Sequence, residues 1–125
     1  MLRASLVVCS AVLAFSVAGA EMAFGRSFAL PKLNGTVGPG FTITLKKSGQ
    51  AVKILKAGSY LFVISDKASI HNFTLERASG GMFETHLTST AFVGTKTVTL
   101  TLKKGTYTFQ CTVHPTTVTG KFKVT

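Results

Sequence analysis

From Thr97 to Leu102 threonines alternate with aliphatic residues, and Tyr107, Phe109 and Cys111 repeat the same two-residue period. That period turns one face of an extended strand toward a core and the other toward water. It also runs through Phe41, Ile43 and Leu45, through Tyr60, Phe62 and Ile64, through Phe73 and Leu75, and through Phe122 and Val124. No window offers a convincing helical period, and β-branched and aromatic residues dominate, as strands prefer. Turn signals such as Lys46-Lys47-Ser48-Gly49 and Ser65-Asp66-Lys67 recur about every ten residues. A sheet with no helix to cover it must be covered by another sheet, so the expected fold is an all-β sandwich. The least regular stretch, Ala78 to Phe92 with Ser79-Gly80-Gly81, reads as a long connection crossing between sheets.

One local echo refines this. Leu55-Lys56-Ala57-Gly58-Ser59-Tyr60-Leu61-Phe62 is matched by Leu102-Lys103-Lys104-Gly105-Thr106-Tyr107-Thr108-Phe109. A single pair does not make a repeat protein. It predicts two equivalent corners of a Greek-key sandwich, each with a tyrosine packed at the same structural place.

The first twenty residues do not fit the sandwich. Met1-Leu2-Arg3 is a short basic start, Leu6 to Phe15 is apolar, and Ala18-Gly19-Ala20 supplies small residues for a signal peptidase. Residues 1–20 are therefore expected to be a secretory signal cleaved before Glu21, leaving 21–125 as one domain. The apolar run is too short for a stable bilayer span, so no stable membrane insertion is expected after cleavage. A lipid anchor at Cys9 is disfavoured, because Val8 stands where a small residue is needed. The expected location is the periplasm or the outside of the cell. Losing Cys9 leaves Cys111 as a lone thiol, which cannot form an internal bridge. In an oxidising compartment such a thiol is best buried or metal-bound.

Charge narrows the partners. Without Arg3 the domain carries about +9 by formal count, a balance that suits acidic protein partners or anionic surfaces. Lysines are scattered singly, with only Lys46-Lys47 and Lys103-Lys104 adjacent, both where turns are expected. That pattern argues against nucleic acid and is equally compatible with solubility alone.

Three histidines follow the leader: His71, His86 and His114. His71 opens a strand after a polar loop, Cys111 ends one, and His114 follows three residues later. Neighbouring strands of a sandwich can bring these ends together at one pole. Two imidazoles and a thiolate are the trigonal His₂Cys set of a blue-copper electron-transfer centre. Each residue also has a plainer reading, as a buried thiol, a loop histidine and a strand-edge histidine. His86, near Met82 and Glu84, reads as a surface residue, with nothing to support a second copper site. Asn34-Gly35-Thr36 and Asn72-Phe73-Thr74 both match the glycosylation sequon.

His71-Asn72-Phe73, Tyr107-Thr108-Phe109-Gln110-Cys111-Thr112-Val113-His114-Pro115 and Gly120-Lys121-Phe122-Lys123-Val124 resemble the small secreted cupredoxins related to plastocyanin and amicyanin. The resemblance extends from about Thr36 onward. It implies a Greek-key sandwich of about eight strands with one type 1 copper held by His71, Cys111 and His114. It further implies that Asn72 ties the two ligand loops together by hydrogen bonds. The implied role is a non-enzymatic, monomeric carrier of single electrons between redox proteins, here ones with acidic docking surfaces. A copper storage or delivery module and a metal-free interaction domain are the alternatives. Zinc would also accept the two histidines, the thiolate and a water. Members of this family generally close the loop with Met-x-Gly. Gly120 fixes the register and puts Val118 at the methionine position, with Thr117 directed away unless it turns in to offer oxygen.

Overall fold

The structure, a computed structural model, describes residues 28–78 and 83–125. The expected secretory signal and Met82 lie outside the described residues. Ten strands occur within them: β1 (Lys32–Val37), β2 (Ile43–Lys47), β3 (Gln50–Ala51), β4 (Ile54–Leu55), β5 (Gly58–Asp66), β6 (Phe73–Arg77), β7 (Phe83–Thr88), β8 (Gly94–Leu102), β9 (Gly105–Gln110) and β10 (Thr119–Val124). They form two five-stranded sheets, ordered β3-β2-β1-β5-β8 and β4-β10-β9-β6-β7. β1 runs parallel to β5 and β4 parallel to β10, while every other pairing is antiparallel. The expected count of about eight falls short because β3 and β4 are two-residue pieces. Two residues cannot display an alternation.

The core lies between the sheets. Leu33, Val37, Leu45, Phe62 and Ile64 face Phe73, Leu75, Tyr107, Phe109, Phe122 and Val124 across it. Phe73 stacks on Phe109 with ring centroids 5.9 Å apart, and Tyr107 stacks on Phe122 at 5.2 Å. Gly120 is required where β10 passes Phe109, because a Cβ there would run into the Phe109 ring. Removing the side chain lets the aromatic layer close next to the strand that ends the Cys111–Val118 loop.

The two echoed corners are equivalent. Tyr60 donates its hydroxyl to the Lys56 carbonyl at 2.7 Å, and Tyr107 donates to the Lys103 carbonyl at 2.8 Å. Each tyrosine fastens the start of its strand to the turn four residues back, as in the tyrosine corner of other sandwiches.

Three local expectations need correction. Ala78 to Phe92 is not one irregular crossing: β7 pairs antiparallel with β6 in the same sheet, and the chain changes sheets only after Thr88. The alternation in β7 is masked because a bulge leaves Leu87 and Thr88 both buried. Lys46-Lys47 closes β2 rather than forming the turn, which Ser48-Gly49 makes with positive φ at both residues. Phe41 does not continue the inward face of β2. It precedes the strand, is 56 % exposed, and belongs to the loop over the ligand pole.

Candidate metal centre

His71 and Cys111 sit just outside the ends of neighbouring strands β6 and β9, which run antiparallel, so both lie at the same pole. The His71 loop is braced from below. Asp66, buried at the end of β5, accepts from the Ala68 amide at 3.2 Å and from the Thr88 hydroxyl at 2.7 Å. Thr88 in turn accepts from the Phe73 amide at 2.9 Å. The Cys111 loop is a compact turn: the His114 amide donates to the Cys111 carbonyl at 3.1 Å and the Val118 amide to the His114 carbonyl at 2.9 Å. The Cys111 amide reaches across to the Val118 carbonyl at 2.9 Å.

One donor atom from each of His71, Cys111 and His114 falls within 4.8 Å of the other two. His71 Nδ1 lies 3.1 Å from His114 Nδ1, and Cys111 Sγ lies 3.8 Å from the same nitrogen. Metal–nitrogen bonds of about 2.0–2.1 Å and a metal–sulfur bond of about 2.3 Å place coplanar donors roughly 3.5–3.8 Å apart. The sulfur–nitrogen spacing to His114 matches that figure, while the two imidazole nitrogens stand a few tenths of an ångström closer than it and would separate slightly around an ion. His71 and Cys111 are fully buried, whereas His114 is half-buried.

The orientation of each donor is set by its neighbours. His71 Nε2 donates to the Gly40 carbonyl at 3.0 Å, leaving the Nδ1 lone pair aimed into the cluster. Asn72 donates its backbone N–H to Cys111 Sγ at 3.4 Å. Its side-chain nitrogen donates to Thr112 Oγ1 at 2.7 Å and Thr90 Oγ1 at 3.2 Å, and its Oδ1 accepts from the Thr112 amide at 3.0 Å. Asn72 thus ties the two ligand loops together, and at 4 % exposure it is closed to glycosylation. Asn34 is exposed on β1. Val118 is fully buried and Thr117 exposed, as the parity of β10 predicts.

One feature escapes the sequence. Gly40 and Phe41 belong to a loop at 38–42 that settles against the His71 loop. Gly38 permits this with φ of +74° at a point where a Cβ would lie 2.8 Å from the Ala68 side chain. Phe41 then meets both imidazoles edge-on, at 5.3 Å from His71 and 5.0 Å from His114. No residue type in that loop signals a ligand contact, since one partner is a backbone carbonyl and the other an exposed phenylalanine. His86 stands apart from the cluster, as expected of a surface residue, 54 % exposed and paired with Glu84 at 3.3 Å.

By sequence, the chain matches no protein-family model and no curated relative. By structure it is similar to the copper protein rusticyanin, with a TM-score of 0.56 and 17 % identity over 75 % of this chain and 76 % of that one. Reduced rusticyanin aligns with a TM-score of 0.54 and 19 % identity, covering 75 % of this chain and 78 % of that one. A reduced single-site variant of amicyanin aligns with a TM-score of 0.50 and 14 % identity, covering 79 % and 87 %. Identities this low speak to architecture: the chain has the β-sandwich fold of the cupredoxins.

Proposed function

We propose that the protein is a type 1 copper electron carrier, with His71, Cys111 and His114 as ligands. The observation that carries this reading is the convergence of two Nδ1 atoms and one thiol sulfur within 4.8 Å of one another. Copper bound there supplies a one-electron Cu(II)/Cu(I) couple. The residues contribute rigidity: donors held by Gly40, Asn72 and the 111–118 turn move little when the charge at their centre changes. That is what a carrier needs and what a delivery module, which must let its cargo go, does not.

Access comes from one side. His114 is the least buried of the three ligands, and exposed Phe41, Ile70 and Val113 surround the two histidines in space or in sequence. This apolar rim is the natural place for a redox partner to approach. The basic balance of the chain, +10 overall, favours partners with acidic surfaces, and the leader-like first twenty residues favour a periplasmic or extracellular setting.

Val118 stands at the position where members of the resembled family generally carry a methionine, whose sulfur would add a donor to a bound copper. Val118 is buried, and its backbone is bonded to both Cys111 and His114, so the ligand loop is closed by a side chain without a donor. Fewer donors disfavour Cu(II) relative to Cu(I), which raises the potential. Val118→Met is expected to lower it by on the order of 100 mV, a fifty-fold shift at about 59 mV per decade for one electron. Cyclic voltammetry of the two copper-loaded proteins makes the comparison. An unchanged or higher potential in the variant shows that a side chain at position 118 does not reach the copper.

A further inference from the structure

His86 is absent from the ligand set, yet hydrogen bonds join it through Thr74 to the side chain of Asn72, the residue whose backbone amide meets the Cys111 sulfur. The bulge in β7 puts His86 directly opposite Thr74 of β6, where an unbroken register would have placed Leu87. His86 Nδ1 lies 2.7 Å from Thr74 Oγ1. Thr74, fully buried, donates its hydroxyl to Asn72 Oδ1 at 3.0 Å. The backbone amide of Asn72, two residues before Thr74, donates to Cys111 Sγ.

A threonine hydroxyl has one proton, and that fixes what this line can do. While Thr74 donates to Asn72, its contact with His86 requires a proton on His86 Nδ1. The other ring nitrogen faces the Glu84 carboxylate, an acceptor, and needs a proton as well. Both requirements are met by the imidazolium. When His86 loses a proton and keeps Nε2–H toward Glu84, Nδ1 becomes an acceptor. Thr74 then turns its proton toward His86, and Asn72 Oδ1 loses that donor. Histidine is the side chain that ordinarily changes charge between about pH 5 and 8.

We propose that His86 and Thr74 are positioning residues for the metal-bound sulfur: the Thr74 hydroxyl converts the protonation state of His86 into a change of hydrogen bonding at Asn72. This deepens the copper-carrier reading and rests on it. Protonated His86 adds a positive charge near the site and keeps the Thr74 donor on the Asn72 side chain, which fixes the residue whose backbone amide meets the sulfur; both favour the reduced centre. By linkage, reduction must equally favour protonation of His86, so electron uptake is accompanied by partial proton uptake. The other charged groups on strands packed against β7 are Glu76 and Arg77 of β6, Asp66 of β5 and Lys96 of β8. Among the described residues only Glu84 is in ion-pair contact with His86. Asp66 is engaged by Thr88 and Ala68, and Glu76 by Gln110.

The test is the potential of the copper-loaded protein between pH 5 and 8, beside His86→Gln and Thr74→Val. His86 is half-exposed and its field screened, so the expected coupling is at the low end, about fivefold in proton affinity between redox states. At about 59 mV per decade this is a fall of roughly 40 mV as pH rises. The fall should vanish in His86→Gln. It should be largely lost in Thr74→Val, which keeps the histidine charge but removes the hydroxyl. A metal-free readout runs in parallel: the Asn72 side-chain amide resonances should follow the His86 titration in the unsubstituted protein and cease to follow it in Thr74→Val. A copper-thiolate centre whose pH response survives in both variants overturns the relay alone. A slope that survives only in Thr74→Val shows a through-space charge effect and overturns the hydroxyl switch. Failure to form a copper-thiolate centre at all overturns the carrier reading and, with it, the link to the sulfur. Should Thr74→Val not fold, His86→Gln, a surface change, still decides whether His86 is involved.

Discussion

Cys111→Ser is expected to abolish the intense copper–thiolate absorption and to weaken copper binding by more than 100-fold. The second figure follows from comparison: substitutions behind a metal ligand cost about 10–100-fold, and Cys111 is a ligand itself. The thiol is fully buried at the end of β9, with Asn72 N–H at 3.4 Å and His114 Nδ1 at 3.8 Å from its sulfur. Serine fits the space and can accept the same amide hydrogen bond, so the fold should survive with a small change in thermal midpoint. Visible absorption and isothermal titration with Cu(II) separate the two effects. A variant that retains the band places the chromophore elsewhere.

Asn72→Ala is expected to lower stability and copper affinity together. Its side chain donates to Thr90 and Thr112 and accepts from the Thr112 amide and the Thr74 hydroxyl. Truncation strands several of these groups at a site only 4 % exposed. Leaving buried polar groups unpaired costs about 1–3 kcal/mol each, softened where water enters, so about 3 kcal/mol overall is expected. In a domain of this size that is a fall in Tm of roughly 12–24 °C. Copper affinity should drop about 10–100-fold, because the His71 and Cys111 loops are no longer tied at a fixed separation. Differential scanning calorimetry of the metal-free protein isolates the first effect. A midpoint within a few degrees of the unsubstituted protein would show that other contacts hold the loops.

The architecture was legible where the sequence alternates over long runs. β5, β8 and β9 carry a clean two-residue period, and the Tyr60 and Tyr107 corners follow from a shared eight-residue pattern. β7 was not legible, because its bulge shifts the parity of the inward face between Thr85 and Thr88. β3 and β4 are too short to show any period. The cluster of His71, Cys111 and His114 could be expected from residue type and spacing, since each contributes its own side chain. Its supports could be foreseen only where a side chain with hydrogen-bonding capacity stands beside a ligand, as Asn72 does. Gly40 acts through a carbonyl, which every residue has, and Phe41 reads as one more alternating aromatic before β2. The placement of Phe41 depends on how the 38–42 loop bends over the pole, and that bend depends on contacts with a loop thirty residues away. The role argued for His86 depends likewise on the β7 bulge, which decides that Thr74 meets the histidine and not Leu87.

The central claim is that these three side chains form one type 1 copper centre. Its most direct test is to add Cu(II) stepwise to the purified protein while recording visible absorption and electron paramagnetic resonance. The account predicts an intense thiolate-to-copper band that saturates at one copper per chain, bleaches on reduction and returns on reoxidation. A protein that shows no such band, or binds copper without one, would contradict it.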